Sequence, residues 1–255
     1  MTLLQMVGAI GIAYGPAAAL FIFTIATQPL RIIVMMSGMF FWLLSLLVSS
    51  LWWTIVPSLK EKLAFGLTFS ILFQEIFRFF LYTLLSKAEA GLQKFSQTEE
   101  ERRQANGSVS DTTKHEYAYV AGLGFGTMSG LFALINVLDD SGGPGTVGLR
   151  DGDSLNYLIM SAFFTMLMIL LHVVWNVVFY WGLDTKRYLA PVLVAISHFI
   201  VSEMTLLKGD ILYQVALPLA AINLVAMSVV AFIAAGGSIQ SIIAACSCKR
   251  RQYHL

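Results

Sequence analysis

Residues 155–182 read LNYLIMSAFFTMLMILLHVVWNVVFYWG and contain no Asp, Glu, Lys or Arg. A helix needs roughly 20 apolar residues to cross the hydrocarbon core of a bilayer. Because this run exceeds that length without a charge, it predicts a transmembrane helix.

The composition of the whole chain fits a membrane environment. Of its 255 residues, 57% are hydrophobic and 12% are charged, and the mean hydropathy is +0.75. Soluble domains carry about 25% charged residues. Lipid is therefore expected to be the main solvent, and a net charge of +1 without a basic stripe argues against a nucleic-acid partner.

Apolar runs of spanning length recur along the chain. We predict an all-α fold, a polytopic membrane protein with seven transmembrane helices in one membrane domain (1–255), near 3–27, 30–56, 63–86, 117–138, 155–182, 188–207 and 211–235. Only three residues separate the last two runs, so these could instead form a hairpin that does not fully cross. The first run lacks a basic start and is too long for a cleaved signal peptide, so we expect it to remain.

The distribution of basic residues predicts the orientation. With the C-terminus inside, the inside segments hold eleven of the 16 Lys and Arg residues and the outside segments hold four. The positive-inside rule therefore places the N-terminus outside or in the lumen and the C-terminus in the cytosol. The polar loop 87–116 is then a flexible cytosolic loop and 236–255 a cytosolic tail, so the sequon at Asn106 should be unmodified. Cys246 and Cys248, beside basic residues, are either palmitoylated or plain thiols.

Glycines line one face of the fourth span. Gly122, Gly126 and Gly130 recur at every fourth position, which allows another helix backbone to approach closely. The partner could be a helix of the same chain or a helix of another subunit.

Several ionisable residues lie within the apolar runs. Glu75 and Arg78 share a face of the third span and can neutralise each other. His172 and His198 lie near the middles of spans five and six, and Glu203 lies toward the outer end of span six. These side chains could form a structural polar interior, line a water-filled cavity, relay protons or, least in keeping with their spacing, bind a metal.

The known chemistries of intramembrane proteolysis are not matched. An aspartyl mechanism needs two membrane-embedded acids sharing a proton, and we expect every Asp of this chain to lie in a loop. The HExxH signature of metalloproteases is absent, and Ser129 does not have the spacing of a rhomboid nucleophile. We therefore predict no catalytic residue, no metal and no cofactor.

Several sequence blocks, taken in order, resemble one family. They are YGP (14–16), PLRII (29–33), FFWL (40–43), QEIFR (74–78), AYVAGLGFG (118–126), GPGTVG (143–148), LLH (170–172), SH (197–198) and AGGS (235–238). Together they resemble the anterior-pharynx-defective subunit of γ-secretase along nearly the whole chain.

The resemblance implies a seven-span scaffold subunit that does not itself catalyse. Such a subunit joins nicastrin and then presenilin and the presenilin enhancer subunit, in a complex that cleaves type I membrane proteins such as Notch and amyloid precursor protein. It also implies residence in the endoplasmic reticulum, Golgi, plasma membrane and endosomes. The glycine motif of the family falls on Gly122 and Gly126, with Gly130 extending it, and its two intramembrane histidines fall on His172 and His198.

Two other classes of membrane protein share some of these features. A G-protein-coupled receptor would also have seven spans with the N-terminus outside, but this sequence lacks an Asp-Arg-Tyr-like triplet after span three and an Asn-Pro-x-x-Tyr in span seven. A small transporter or channel that uses Glu75, Arg78, His172 and His198 is the alternative that chemistry alone leaves open.

Overall fold

The computed structural model describes residues 3–56, 62–95, 111–141, 157–207 and 210–238. Within these ranges the chain is helical, and seven helices are long and apolar enough to cross a membrane. This confirms the predicted all-α fold with seven spans. The sequon at Asn106 and the cysteines Cys246 and Cys248 lie outside the described residues.

The seven helices occur in chain order. Their bounds are α1 Leu3–Thr24, α2 Pro29–Ile55, α3 Leu63–Phe95, α4 Asp111–Ser141, α5 Tyr157–Asp184, α6 Leu189–Glu203 and α7 Asp210–Ala234. A single 3₁₀ turn, Met204–Leu206, extends α6. Proline begins α2, where its missing N–H leaves no hydrogen bond unmade.

Two helices are longer than the apolar runs that predicted them. The helix α3 continues to Phe95 and α4 begins at Asp111, so both ends of the predicted flexible loop 87–116 are helical. Residues 87–90 read KAEA, and these residue types favour helix in water. Hydropathy indicates where a helix leaves the hydrocarbon core, but the helix can continue beyond that point into water.

The same extension corrects the expectation that every Asp lies in a loop. Asp111 and Asp210 are the first residues of α4 and α7, Asp139 and Asp140 lie in the last turn of α4, and Asp184 is the last residue of α5. They remain at the ends of the spans, because a helix that leaves the hydrocarbon core can carry charge where water or lipid headgroups solvate it.

The helices α4 and α5 form the centre of the bundle. They are the most buried of the seven spans and pack chiefly on each other. The helix α2 covers the other side of α4, α1 and α7 pack on α5, and α3 lies mainly against α2 and α6.

Glycines allow α2 to approach α4 as closely as α5 does. A methyl group added at Gly124 would collide with the carbonyl oxygen of Met35 on α2, and one added at Gly38 would collide with that of Ala121 on α4. Residues two apart point to nearly opposite sides of a helix. Gly124 therefore allows the close approach of α2, while Gly122 and Gly126 allow the close approach of α5.

Candidate functional site

The glycine face of α4 sets the position of the functional residues on α5. A methyl group at Gly122 would lie 3.0 Å from the carbonyl oxygen of His172, and one at Gly126 would lie 2.6 Å from that of Ile169. At Gly130 the nearest atom, 2.7 Å away, is the flexible end of the Ile169 side chain. The face is thus occupied by α5 of the same chain, and a partner subunit must contact other surfaces.

Four ionisable side chains meet where α3, α5 and α6 face one another. We call them the charge cluster, and its members are Glu75 and Arg78 of α3, His172 of α5 and His198 of α6. All are buried, and their exposed fractions are 8%, 0%, 0% and 1% in that order. The sequence predicted each residue and the pairing of the first two, and the structure brings both histidines to that pair.

Hydrogen bonds join the charge cluster into a linear chain. Nδ1 of His198 lies 2.7 Å from Oε1 of Glu75. Nη1 of Arg78 donates to Oε2 of Glu75 at 3.1 Å. At the far end, Nη2 of Arg78 lies 3.0 Å from Nδ1 of His172. One arginine therefore connects a carboxylate of its own helix to an imidazole on α5.

The partners fix which histidine nitrogens carry protons. Arginine can only donate, so Nδ1 of His172 must accept and the imidazole of His172 is neutral, with its proton on Nε2. An ionised carboxylate can only accept, so Nδ1 of His198 donates to Glu75. The two histidines therefore have different roles, although both lie at the middle of a span.

Aromatic rings enclose the charge cluster. The guanidinium carbon of Arg78 lies 5.2 Å from the ring centroid of Phe125 and 5.9 Å from that of Phe179, within the range of cation–π attraction. The ring of His198 lies 4.6 Å from that of Trp175 and 5.0 Å from that of His172. Apolar faces thus separate the charges from lipid.

The similarity to known proteins extends over this entire helical unit. The family model described as "Aph-1 protein" matches residues 4–238, from the first turn of α1 to beyond the end of α7. The chain belongs to the Aph-1 family. The resemblance inferred from the sequence blocks is therefore confirmed.

Similar proteins carry matching names. "Gamma-secretase subunit Aph-1" of Drosophila melanogaster is 46% identical over 94% of this chain and 97% of its own length. "Gamma-secretase subunit APH-1B" of Homo sapiens is 42% identical over 100% of this chain and 98% of its own. "Gamma-secretase subunit APH1-like" of Arabidopsis thaliana is 26% identical over 82% and 83%.

Further polar bonds tie the outer helices of this Aph-1 chain to the helices that carry the charge cluster. On one side, Nε1 of Trp42 donates to Oε1 of Gln74 at 3.2 Å and joins α2 to α3. On the other, Nε1 of Trp175 donates to Oγ of Ser197 at 2.9 Å, which donates to Oδ1 of Asn223 at 2.9 Å. Sequence reasoning missed these bonds, although isolated Gln, Ser and Asn in apolar runs often bond across helices.

Glu203 does not belong to the charge cluster of this Aph-1 chain. It ends α6 and accepts a 2.8 Å hydrogen bond from Oγ1 of Thr68 on α3. The sequence placed it correctly toward the end of the sixth span. It could not show that Glu203 forms a second contact between α6 and α3, apart from the charge cluster.

The chemistry open to the charge cluster of this Aph-1 chain is limited by its own contacts. Both oxygens of Glu75 accept hydrogen bonds from Arg78 or His198, and the guanidinium of Arg78 stands between Glu75 and His172. In the part of the chain that the structure describes, no three His, Cys, Asp or Glu side chains are placed to hold a metal ion. What the arrangement does is neutralise buried charge and join three helices.

Proposed function

We propose that this chain is a non-catalytic scaffold subunit of γ-secretase, needed for assembly and stability of the complex. The observation that carries the proposal is the match to the Aph-1 family from α1 to α7. Relatives that this chain matches over nearly their whole lengths are named γ-secretase subunits. Membership of the same complex is the simplest function consistent with both.

Catalysis is assigned to presenilin in this proposal. Two acids that share a proton are required for aspartyl proteolysis. The charge cluster supplies one carboxylate, Glu75, and Arg78 lies 3.0 Å from it. A carboxylate paired in this way supports a structural role, because it is ionised and both of its oxygens are engaged by Arg78 and His198.

The partners that we propose are presenilin, nicastrin and the presenilin enhancer subunit. Their transmembrane helices would meet the apolar outer faces of this chain, since the glycine face of α4 is filled by α5. Large apolar side chains are exposed on these outer faces, for example Phe23, Ile33 and Ile233. The substrates of the complex would be type I membrane proteins such as Notch and amyloid precursor protein.

The chain is an integral multi-pass membrane protein, and we propose a lumenal N-terminus and a cytosolic C-terminus. The excess of Lys and Arg in the inside segments supports this orientation. An antibody against an N-terminal epitope should stain unpermeabilised cells, and one against a C-terminal epitope should need permeabilisation. The reverse pattern would refute the orientation.

Copurification tests the subunit proposal. The tagged chain, purified in mild detergent and analysed by mass spectrometry, should bring down presenilin, nicastrin and the presenilin enhancer in stoichiometric amounts. An unrelated tagged seven-helix protein from the same membrane serves as the control. Recovery of the folded chain without these partners would overturn the proposal and favour the transporter alternative.

A further inference from the structure

Polar residues recur at every fourth position along α5. They are His172, Asn176, Tyr180 and Asp184. Residues four apart lie on the same side of a helix, about 6 Å apart along its axis. The first three are buried, with exposed fractions of 0%, 0% and 4%, and Asp184 is exposed. This polar stripe leads from the charge cluster to the edge of the membrane.

Several polar atoms of the stripe lack a hydrogen-bond partner among the described residues. They are Nε2 of His172, Oδ1 and Nδ2 of Asn176, and the hydroxyl of Tyr180, and Nε of Arg78 beside them is in the same state. A buried polar atom without a partner costs about 1–3 kcal/mol. Proteins commonly satisfy such atoms with ordered water.

The stripe opens at its Asp184 end into a small polar cavity. This cavity has a volume of about 20 Å³ and lies between α3, α4 and α5, where Tyr82, Glu89, Tyr117, Tyr180 and Asp184 line it. Such a volume holds one water molecule. Oε1 of Glu89 is also without a partner among the described residues, which makes the cavity a favourable place for that water.

The spacing of the stripe suits bridging by single waters. One water that makes two hydrogen bonds of about 2.8 Å joins polar atoms roughly 5–6 Å apart. This distance matches the rise between successive stripe residues. On the α3 side, the helix packs mainly against α2 and α6, and the long side chains of Arg78 and Tyr82 supply the bonds that reach α5.

We propose that a file of internal water molecules runs along α5 from Asp184 to His172. It satisfies the partnerless atoms of Asn176 and Tyr180 and gives protons of the aqueous phase access to the charge cluster. The buried cluster is thereby hydrated from one membrane face, the face at which α5 ends, while the buried rings of Phe125, Trp175 and Phe179 separate it from lipid. This inference concerns the chain itself and holds whether or not the subunit proposal is correct.

X-ray radiolytic footprinting tests the water file. Radiolysis of bound water produces hydroxyl radicals that oxidise adjacent side chains, and heavy-oxygen water identifies the source of the added atom. In the detergent-purified full chain, His172 and Tyr180 should be oxidised several-fold faster than Trp42. Trp42 is the internal control, because at 4% exposure it is as buried as Tyr180 and slightly more exposed than His172, and its Nε1 is bonded to Gln74. Oxidation of His172 at the Trp42 rate would overturn the proposal.

A substitution in the middle of the file gives a directional test. Asn176→Leu replaces the amide with an apolar group of similar size, so oxidation of His172 should fall several-fold while oxidation of Tyr180, on the aqueous side, should persist. Unchanged oxidation of His172 in this variant would contradict the file. Tyr180→Phe, which removes only a hydroxyl, should also lower His172 oxidation. If a variant does not fold, the comparison of His172 with Trp42 in the wild-type chain still tests the water file.

Discussion

At the scale of single residues, the charge cluster explains how an arginine and a glutamate reside inside a membrane. Removing charges from water is costly, and the cost is offset only when the charges are paired and hydrogen-bonded. Arg78 bonds to Glu75 and His172, and Glu75 has His198 as a second donor. We infer that the main role of the cluster is to fix the relative positions of α3, α5 and α6.

Neutralising one member of the buried pair should destabilise the chain strongly. Arg78→Gln leaves the Glu75 carboxylate without its cation and should lower stability by about 3–5 kcal/mol. The double variant Glu75→Gln with Arg78→Gln should recover a large part of that loss, because neither charge remains. Thermal unfolding of the detergent-purified chain, followed by size-exclusion chromatography, measures both.

An exposed ion pair of the same chain supplies the control. Arg31 and Glu116 are 3.0 Å apart, with 21% and 44% of their side chains exposed. Arg31→Gln should therefore change stability by no more than about 1 kcal/mol. Equal losses for Arg31→Gln and Arg78→Gln would show that burial of the cluster has no energetic consequence.

The sequence predicted the members of the charge cluster better than their connections. Glu75 and Arg78 are close in sequence, so helical periodicity alone paired them. The bonds to His172 and His198 depend on how three helices pack, which no local pattern encodes. The stripe of Asn176 and Tyr180 was missed, although its period of four residues was visible in the sequence.

At the scale of helices, the glycines of α4 determine how close its neighbours come. Hydropathy located all seven spans, but it could not decide whether the glycine face meets the same chain or a partner. The structure places α5 there, and it also assigns Gly124 to a second close contact with α2. Helix ends were predicted less well, because α3 and α4 continue beyond their apolar segments.

Alanine substitutions on this face should have graded effects. At Gly126 the added methyl would lie 2.6 Å from the Ile169 carbonyl oxygen, and backbone cannot move aside easily, so a loss of about 1–3 kcal/mol is expected. At Gly130 the neighbour is a flexible side-chain end, so the loss should be smaller. Thermal unfolding of the purified chain ranks the variants.

Gly11→Ala on α1 is the matched control. Nothing lies within 4 Å of a methyl group at this position, and alanine favours helix over glycine by about 1 kcal/mol. The variant should therefore unfold no more easily than the wild type. A larger loss at Gly11 than at Gly126 would contradict the account of the α4 contact.

At the scale of the whole molecule, the polar residues lie inside and the apolar faces lie outside. The internal contacts hold the seven helices together, and the exposed apolar surface is left for lipid and for other transmembrane helices. This division is the arrangement expected of a scaffold in a membrane complex. The composition already predicted a membrane protein, whereas its membership of a γ-secretase complex follows from its family and not from any local feature.

Restoration of proteolysis in cells that lack their own Aph-1 subunits tests the central claim most directly. Expression of this chain should restore cleavage of the amyloid precursor protein stub, and an active-site-directed photoaffinity inhibitor should label presenilin and not this chain. The Arg78→Gln variant, expressed at the same level, should restore much less cleavage. Failure of a folded, membrane-inserted wild-type chain to restore cleavage, or labelling of the chain itself, would contradict the account.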